Sequence, residues 1–127
     1  MFNQANIINF EDLLNNEFVF YAHTSDKEDR KDETLQEHTN RCVRHFLKIL
    51  KARNLQLVFE NFVDIWFDEN EEEYRGLLYN LIINTISFHD LGKINPAFQS
   101  KNMKNIMFLG DKGNITLGSD HSIISAI

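Results

Sequence analysis

The sequence predicts an all-α fold, and three observations support that prediction. Apolar residues recur at intervals of three and four along the longer segments, which is the period of an amphipathic helix. The 127 residues include one proline and five glycines, so few positions interrupt a helix. A strong helix start signal, Thr34-Leu35-Gln36-Glu37, precedes the first long periodic segment. We therefore expect a helical bundle in one domain with a single modest core.

The chain before residue 34 predicts short elements only. A short helix is expected around Phe10–Leu14. The apolar run Phe18–Ala22 fits either an extended segment or a helix. The stretch "TSDKEDRKDE", residues 24–33, is expected to be a charged surface connection.

The first long helix is expected to begin after Thr34 and to run to about Arg53. Thr34 and Glu37 form a capping-box pattern, in which each side chain bonds the other residue's backbone amide. One side of this helix is apolar and consists of Leu35, Cys42, Val43, Phe46, Leu47 and Leu50. The opposite side is basic and consists of Arg41, Arg44, Lys48 and Lys51.

Two further helices and a short one are expected downstream. Leu55–Phe67 predicts one helix, and a second begins in the acidic stretch "NEEEYRG" and continues to about His89. Gly92 is placed where a helix commonly ends in the left-handed conformation. Pro96 suits the first turn of a short helix, "PAFQSKNM".

The last nine residues, "SDHSIISAI", predict the start of one more helix. The apolar pattern continues to the final Ile127 without a stop signal. We therefore expect the chain to be the N-terminal portion of a longer protein, with its domain truncated before the last helices.

Composition and charge exclude several classes of protein. The net charge of −6 argues against a general duplex-DNA binder, which neutralises many phosphates. The single cysteine excludes a disulfide framework and indicates a reducing compartment. Neither a secretion signal nor an 18-residue apolar run is present, so we expect a cytoplasmic protein that does not engage a membrane.

Charged residues are nevertheless segregated along the chain. Residues 60–73 include acidic but no basic side chains, and residues 41–53 include basic but no acidic ones. The simpler interpretation is two solvated helix faces. A local strip that holds a polyanion is the alternative.

The candidate chemistry lies in two histidines and an aspartate on the apolar sides of different helices. His38 falls one turn after Leu35, and His89 follows the apolar Ile86 and adjoins Asp90. An inward histidine usually bonds a backbone carbonyl, but a buried carboxylate needs a partner for its charge. A divalent metal would satisfy all three side chains, because imidazole and carboxylate ligate Mn, Fe, Co, Ni and Zn.

Other residues extend this candidate site. His121, at the start of the predicted last helix, is a candidate ligand for a second ion. Lys93, three residues after Asp90, is expected at the mouth of the site, where it could hold a phosphate oxygen. Phe98 and Gln99 could stack on and hydrogen-bond a nucleotide, and packing of Phe98 in the core is an equal alternative. Ser122 could donate to a phosphate or cap the last helix.

Two more side chains are expected to have structural roles. His45 lies about 10 Å along the helix from His38, which is too far to share an ion. Cys42 is expected to be a small core residue.

At this point the sequence resembles a known family. His38 and the His89-Asp90 doublet match the HD metal-dependent phosphohydrolase superfamily. A fuller set of motifs lies in matching order: Tyr21-Ala22-His23, Leu35-x-Glu37-His38, His89-Asp90-Leu91-Gly92-Lys93, Pro96-Ala97-Phe98-Gln99 and His121-Ser122-x-x-Ser125-Ala126. Together they resemble the HD nuclease domain of the CRISPR-associated helicase-nuclease of type I interference systems, over roughly residues 18–127.

The resemblance implies an HD-like helical domain, here residues 1–127, that cuts single-stranded DNA with one or two divalent ions such as Mn, Fe, Co, Ni or Mg. It implies that His38, His89 and Asp90 bind the first ion, that His121 contributes to the second, and that Asp90 bridges. Asp90 and Lys93 would be the catalytic residues, and His23 lies at a variable position near the site. The implied partners are single-stranded DNA, a helicase in cis or in trans and a CRISPR surveillance complex. The family's remaining ligands, a later aspartate and further histidines, would fall beyond residue 127.

Two alternatives remain open. The chain could be another HD-superfamily phosphohydrolase that acts on nucleotides or cyclic dinucleotides. It could instead be a catalytically incomplete helical interaction module whose inward histidines are structural.

Overall fold

A computed structural model describes residues 2, 7–15, 17–26, 31–68 and 72–109 of the chain. Its helices are α1 (Phe10–Leu13), α2 (Leu35–Ala52), α3 (Leu55–Trp66), α4 (Glu72–Phe88) and α5 (Pro96–Lys101). Two short strands, β1 (Tyr21–His23) and β2 (Glu33–Thr34), and two 3₁₀ helices, Leu91–Ile94 and Ile106–Phe108, complete the described elements. The chain is mostly helical, which confirms the predicted all-α class. The predicted last helix, with His121 and Ser122, lies outside the described residues.

Among the described helices, none combines the length and the apolar character that a membrane crossing requires.

The chain divides into two compact units, and the first consists of Met1–Ile8 and Asn40–Ser87. Its buried side chains come from three helices and include Val43, Val63 and Ile83. The ring of Phe2 packs edge-on against Phe46, Phe59 and Tyr79, with ring centroids 4.9–5.4 Å apart. The basic residues Arg41, Arg44, Lys48 and Lys51 are all exposed, as the helical pattern predicts.

The second unit consists of Asn9–Thr39 and Phe88–Ile127. Its core includes Phe10, Ala22, Leu35, Phe98 and Phe108. Strands β1 and β2 pair antiparallel, with Tyr21 opposite Thr34 and His23 opposite Glu33. Three residues of β1 therefore oppose two of β2, so Ala22 is the extra residue of a bulge. The sequence left Phe18–Ala22 open between strand and helix, and it did not predict the two-stranded sheet.

The capping box at the start of α2 is confirmed. The Thr34 hydroxyl accepts a hydrogen bond from the Glu37 amide at 3.2 Å, and the Glu37 carboxylate accepts one from the Thr34 amide at 3.0 Å. This backbone hydrogen bond, with a second one from the Thr34 hydroxyl, lowers the pKa of Glu37. The start of α2, and with it the position of His38, is fixed by local hydrogen bonds.

The prediction that Gly92 ends a helix in the left-handed conformation is wrong. Helix α4 ends at Phe88, and Gly92 lies inside the 3₁₀ helix Leu91–Ile94 without a positive φ. The Lys93 amide donates to the Asp90 carbonyl at 2.9 Å. This i to i+3 hydrogen bond is typical of a 3₁₀ helix, so the backbone after the turn stays right-handed. His89 and Asp90 therefore occupy the turn between α4 and the 3₁₀ helix.

Candidate metal centre

The candidate centre lies in the second unit and gathers around one oxygen atom, Oδ2 of Asp90. His38 Nε2 lies 3.1 Å from this oxygen, and His89 Nε2 lies 3.5 Å from it. The Lys93 ammonium lies 2.8 Å from the same atom. His38, Asp90 and Lys93 are buried, whereas the His89 side chain is 40% exposed. The cluster is therefore largely buried, and its most exposed member is His89.

The two histidines and the aspartate fit a transition-metal site by donor type and by spacing. Two ligand atoms that each lie about 2.1 Å from an ion are separated by about 3.0–3.4 Å at right-angled or tetrahedral geometry. The two nitrogen–oxygen distances, 3.1 and 3.5 Å, lie close to that range. The rings of His38 and His89 have centroids 5.5 Å apart, so both imidazoles face the same small volume. The structure thus brings together the three side chains that the sequence singled out.

Lys93 lies inside this cluster rather than at its mouth, where the sequence placed it. Its ammonium donates to the Ala22 carbonyl at 3.1 Å as well as pairing with Asp90. Ala22 is the bulged residue of β1, and bulges commonly reorient groups toward a site. The bulge, the turn at Asp90 and the 3₁₀ helix together hold the ammonium in place.

The charges around Asp90 offset the cost of burying it. Burial raises the pKa of Asp90, but the hydrogen bond and charge of Lys93, followed by the charges of His89 and His38, outweigh it and lower the pKa overall. The carboxylate is therefore ionised at neutral pH, as a ligand must be. Burial lowers the pKa of His23, and the positive charges of Lys93 and His38 lower it further. The carboxylates of Glu33 and Asp90 raise it by less, so the pKa is lowered overall.

His23 and Glu33 form a second group with His38. The ring of His23 lies edge-on to that of His38, with centroids 4.8 Å apart. Glu33 Oε2 lies 3.2 Å from His38 Nδ1. One potential ligand atom from each of these three residues lies within 4.8 Å of the others. Sequence reasoning did not single out Glu33, because only the pairing of β1 with β2 places it beside His23.

Phe98 and Gln99, which the sequence suggested as nucleotide contacts, are both buried. Phe98 is buried in the core, which favours its packing role. Gln99 is fully buried: its amide oxygen accepts from the Tyr21 amide at 3.0 Å, and its amide nitrogen donates to the carbonyls of Tyr21 and Lys93 at 2.8 and 2.7 Å. Gln99 thereby ties β1 to the 3₁₀ helix that carries Lys93.

The remaining candidates are two residues of α2 and two residues that lie outside the described part of the chain. His45 is exposed and Cys42 is half-buried on α2. His121 and Ser122 fall beyond residue 109, outside the described residues.

Comparisons with protein-family models, with curated proteins and with solved structures find no match to this chain.

Proposed function

We propose that this chain is a metal-dependent phosphodiesterase of the HD type that hydrolyses single-stranded DNA. The observation that supports this proposal most directly is the convergence of two imidazole Nε2 atoms on Asp90 Oδ2, within 3.1 and 3.5 Å. A buried cluster that combines a perturbed pKa with a metal-type donor set is typical of functional sites.

Each residue of the cluster has a defined task in this proposal. A divalent ion held at this cluster would make hydroxide available near neutral pH and would polarise a phosphoryl oxygen. His38 and His89 would hold the ion through Nε2, and Asp90 would hold it through its carboxylate. Lys93 fixes the carboxylate and adds positive charge beside the place where a phosphate would gain negative charge. His89, as the exposed member, faces the side from which a substrate enters.

The substrate and the biological setting follow from the resemblance to the CRISPR-associated helicase-nuclease, and they belong to the same proposal. A cytoplasmic nuclease of antiviral defence would receive single-stranded DNA from a helicase in cis or in trans. A CRISPR surveillance complex would be a further partner. His121 would ligate a second ion, and Ser122 would contact the substrate. Because Phe98 and Gln99 are buried, we do not include them among the substrate contacts.

A second candidate function is a helical interaction module that binds no metal. One observation favours it: Lys93 already supplies the positive charge that a buried Asp90 requires. In that case His38 and His89 would complete a structural hydrogen-bond network.

Cleavage assays and metal binding separate these functions. We expect cleavage of circular single-stranded DNA in the presence of Mn²⁺, Co²⁺ or Ni²⁺, abolished by Asp90→Asn and by His38→Ala. His45→Ala is the matched control, because His45 lies on the same helix but is exposed and outside the cluster. Hydrolysis of nucleotides or cyclic dinucleotides without DNA cleavage would identify another HD-superfamily phosphohydrolase. Failure of a full-length version to bind any of the ions in calorimetry would favour the interaction module.

A further inference from the structure

Each ring nitrogen of His38 faces a different carboxylate. Nδ1 lies 3.2 Å from Glu33 Oε2, and Nε2 lies 3.1 Å from Asp90 Oδ2. A neutral imidazole has one lone pair, and the nitrogen that ligates a metal must leave its proton to the other. If Nε2 is the ligand atom, the proton must lie on Nδ1, where a fixed acceptor would stabilise it.

We propose that Glu33 is a positioning residue: it accepts the Nδ1 proton of His38 and thereby directs the Nε2 lone pair toward Asp90 and His89. This inference rests on the proposed function and names a residue that the HD-type motif set does not include. Carboxylate–histidine–metal arrangements of this kind fix the ring orientation and raise the basicity of the ligand.

The backbone around Glu33 suits this role. Glu33 pairs with His23 across the two-stranded sheet, and the next residue, Thr34, caps α2. His38 lies in the following turn of α2, so a few residues held by backbone hydrogen bonds separate the carboxylate from the imidazole. The Glu33 and His38 side chains are 16% and 11% exposed, so water competes little for their hydrogen bond.

A rival arrangement places an ion among His23, Glu33 and His38, whose potential ligand atoms also lie close together. That arrangement would use Nδ1 of His38 as the ligand atom. It is less favourable, because His23 is exposed, whereas the opposite nitrogen faces a buried carboxylate that a second histidine also approaches. The two arrangements differ in which substitutions weaken binding, and that difference can be measured.

Metal titration of the full chain tests the role of Glu33. With Mn²⁺ or Ni²⁺ in calorimetry, we expect Glu33→Ala to weaken binding about 10–100-fold. Glu33→Gln should weaken it less, because an amide oxygen still accepts the Nδ1 proton. Glu37→Gln is the charge-matched control: it removes the same charge one residue before His38, retains a capping side chain and should leave affinity unchanged. Equal loss in His23→Ala and Glu33→Ala, with Asp90→Asn unaffected, would establish the rival arrangement and overturn the proposal.

A measurement on the metal-free protein tests the same proposal independently of metal binding. In ¹⁵N-labelled protein, the His38 ring is assigned by the signals that His38→Gln removes. We expect a slowly exchanging proton on Nδ1 that disappears in Glu33→Ala and persists in Glu37→Gln. Absence of this proton in the wild type, or its persistence in Glu33→Ala, would overturn the role of Glu33. If the wild type bound no ion, the proposed function would be wrong. The signal of the Nδ1 proton would still show whether Glu33 accepts a hydrogen bond from His38.

Discussion

The Lys93 ammonium lies 2.8 Å from Asp90 Oδ2, the same oxygen that the two histidines approach. The cluster therefore already contains a cation. A divalent ion bound as proposed would share Asp90 with Lys93 or displace it, while the Ala22 carbonyl would remain as an acceptor for the ammonium. Lys93 thus stabilises the buried carboxylate and would oppose the binding of a second positive charge beside it.

Lys93→Met should tighten metal binding and destabilise the metal-free protein. Removing a positive charge 2.8 Å from a ligand oxygen favours the ion, but it leaves Asp90 buried without its partner. Breaking a buried ion pair on one side costs about 3–5 kcal/mol. Calorimetry with Mn²⁺ and urea unfolding with and without the ion measure the two effects.

Lys101→Met is the control for Lys93→Met, because Lys101 is exposed and its removal changes the net charge equally. The control should alter neither affinity nor stability appreciably. Unchanged or weaker ion binding in Lys93→Met would mean that Lys93 does not compete for Asp90.

Acid should destabilise the metal-free protein through Asp90. The folded-state pKa of Asp90 is lower than its ordinary value of 3.8, so the unfolded chain binds a proton that the folded chain does not. The contribution of Asp90 to stability is complete above the ordinary pKa and is lost as the pH falls through the folded pKa. In urea unfolding from about pH 5 downward, the free energy of unfolding should fall less in the double variant Asp90→Asn/Lys93→Met than in the wild type.

Asp26 and Lys104 provide an internal comparison for this acid effect. Their carboxylate and ammonium are also 2.8 Å apart, but the side chains are 87% and 69% exposed, against 11% and 8% for Asp90 and Lys93. Salt screens exposed pairs far more than buried ones. Added salt should therefore remove any pH-dependent difference in the free energy of unfolding between the wild type and Asp26→Asn. It should preserve the corresponding difference between the wild type and Asp90→Asn/Lys93→Met. Equal loss of both differences in salt would contradict the burial of the Asp90 pair.

The sequence predicted the helices from local patterns, and it predicted the convergence of His38, His89 and Asp90 from their inward positions on different helices. Helical periodicity and a capping box set the positions of residues on each helix. Burying the Asp90 carboxylate is unfavourable unless a positively charged partner lies beside it. Glu33 was missed because its role depends on strand pairing between two short segments, and strands of two or three residues leave no periodic pattern. The conformation of Gly92 was mispredicted because a 3₁₀ helix, rather than a reversal, follows the turn at Asp90.

Gln99→Ala should destabilise the fold rather than remove a substrate contact. The fully buried Gln99 side chain forms hydrogen bonds with Tyr21, Lys93 and Asn105. Leaving each buried partner unsatisfied costs about 1–3 kcal/mol. Thermal unfolding should show a large loss for Gln99→Ala and a small one for Gln56→Ala, whose amide bonds only Glu60 along its own helix among the contacts described. Wild-type stability with weakened DNA binding in Gln99→Ala would restore the substrate role predicted from the sequence.

Thr34→Ala should destabilise the start of α2 and thereby disturb the candidate metal centre. Loss of an N-terminal capping hydroxyl costs about 1 kcal/mol, and here the same hydroxyl accepts from the Glu37 amide next to His38. Thr85→Ala is the matched control, because the exposed Thr85 hydroxyl bonds the Leu81 carbonyl within α4, where alanine is the better helix former. Urea unfolding should therefore show destabilisation for Thr34→Ala and none for Thr85→Ala. If both variants unfolded alike, the capping box would not fix the helix that carries His38, and affinity for Mn²⁺ should then be equal in the two variants.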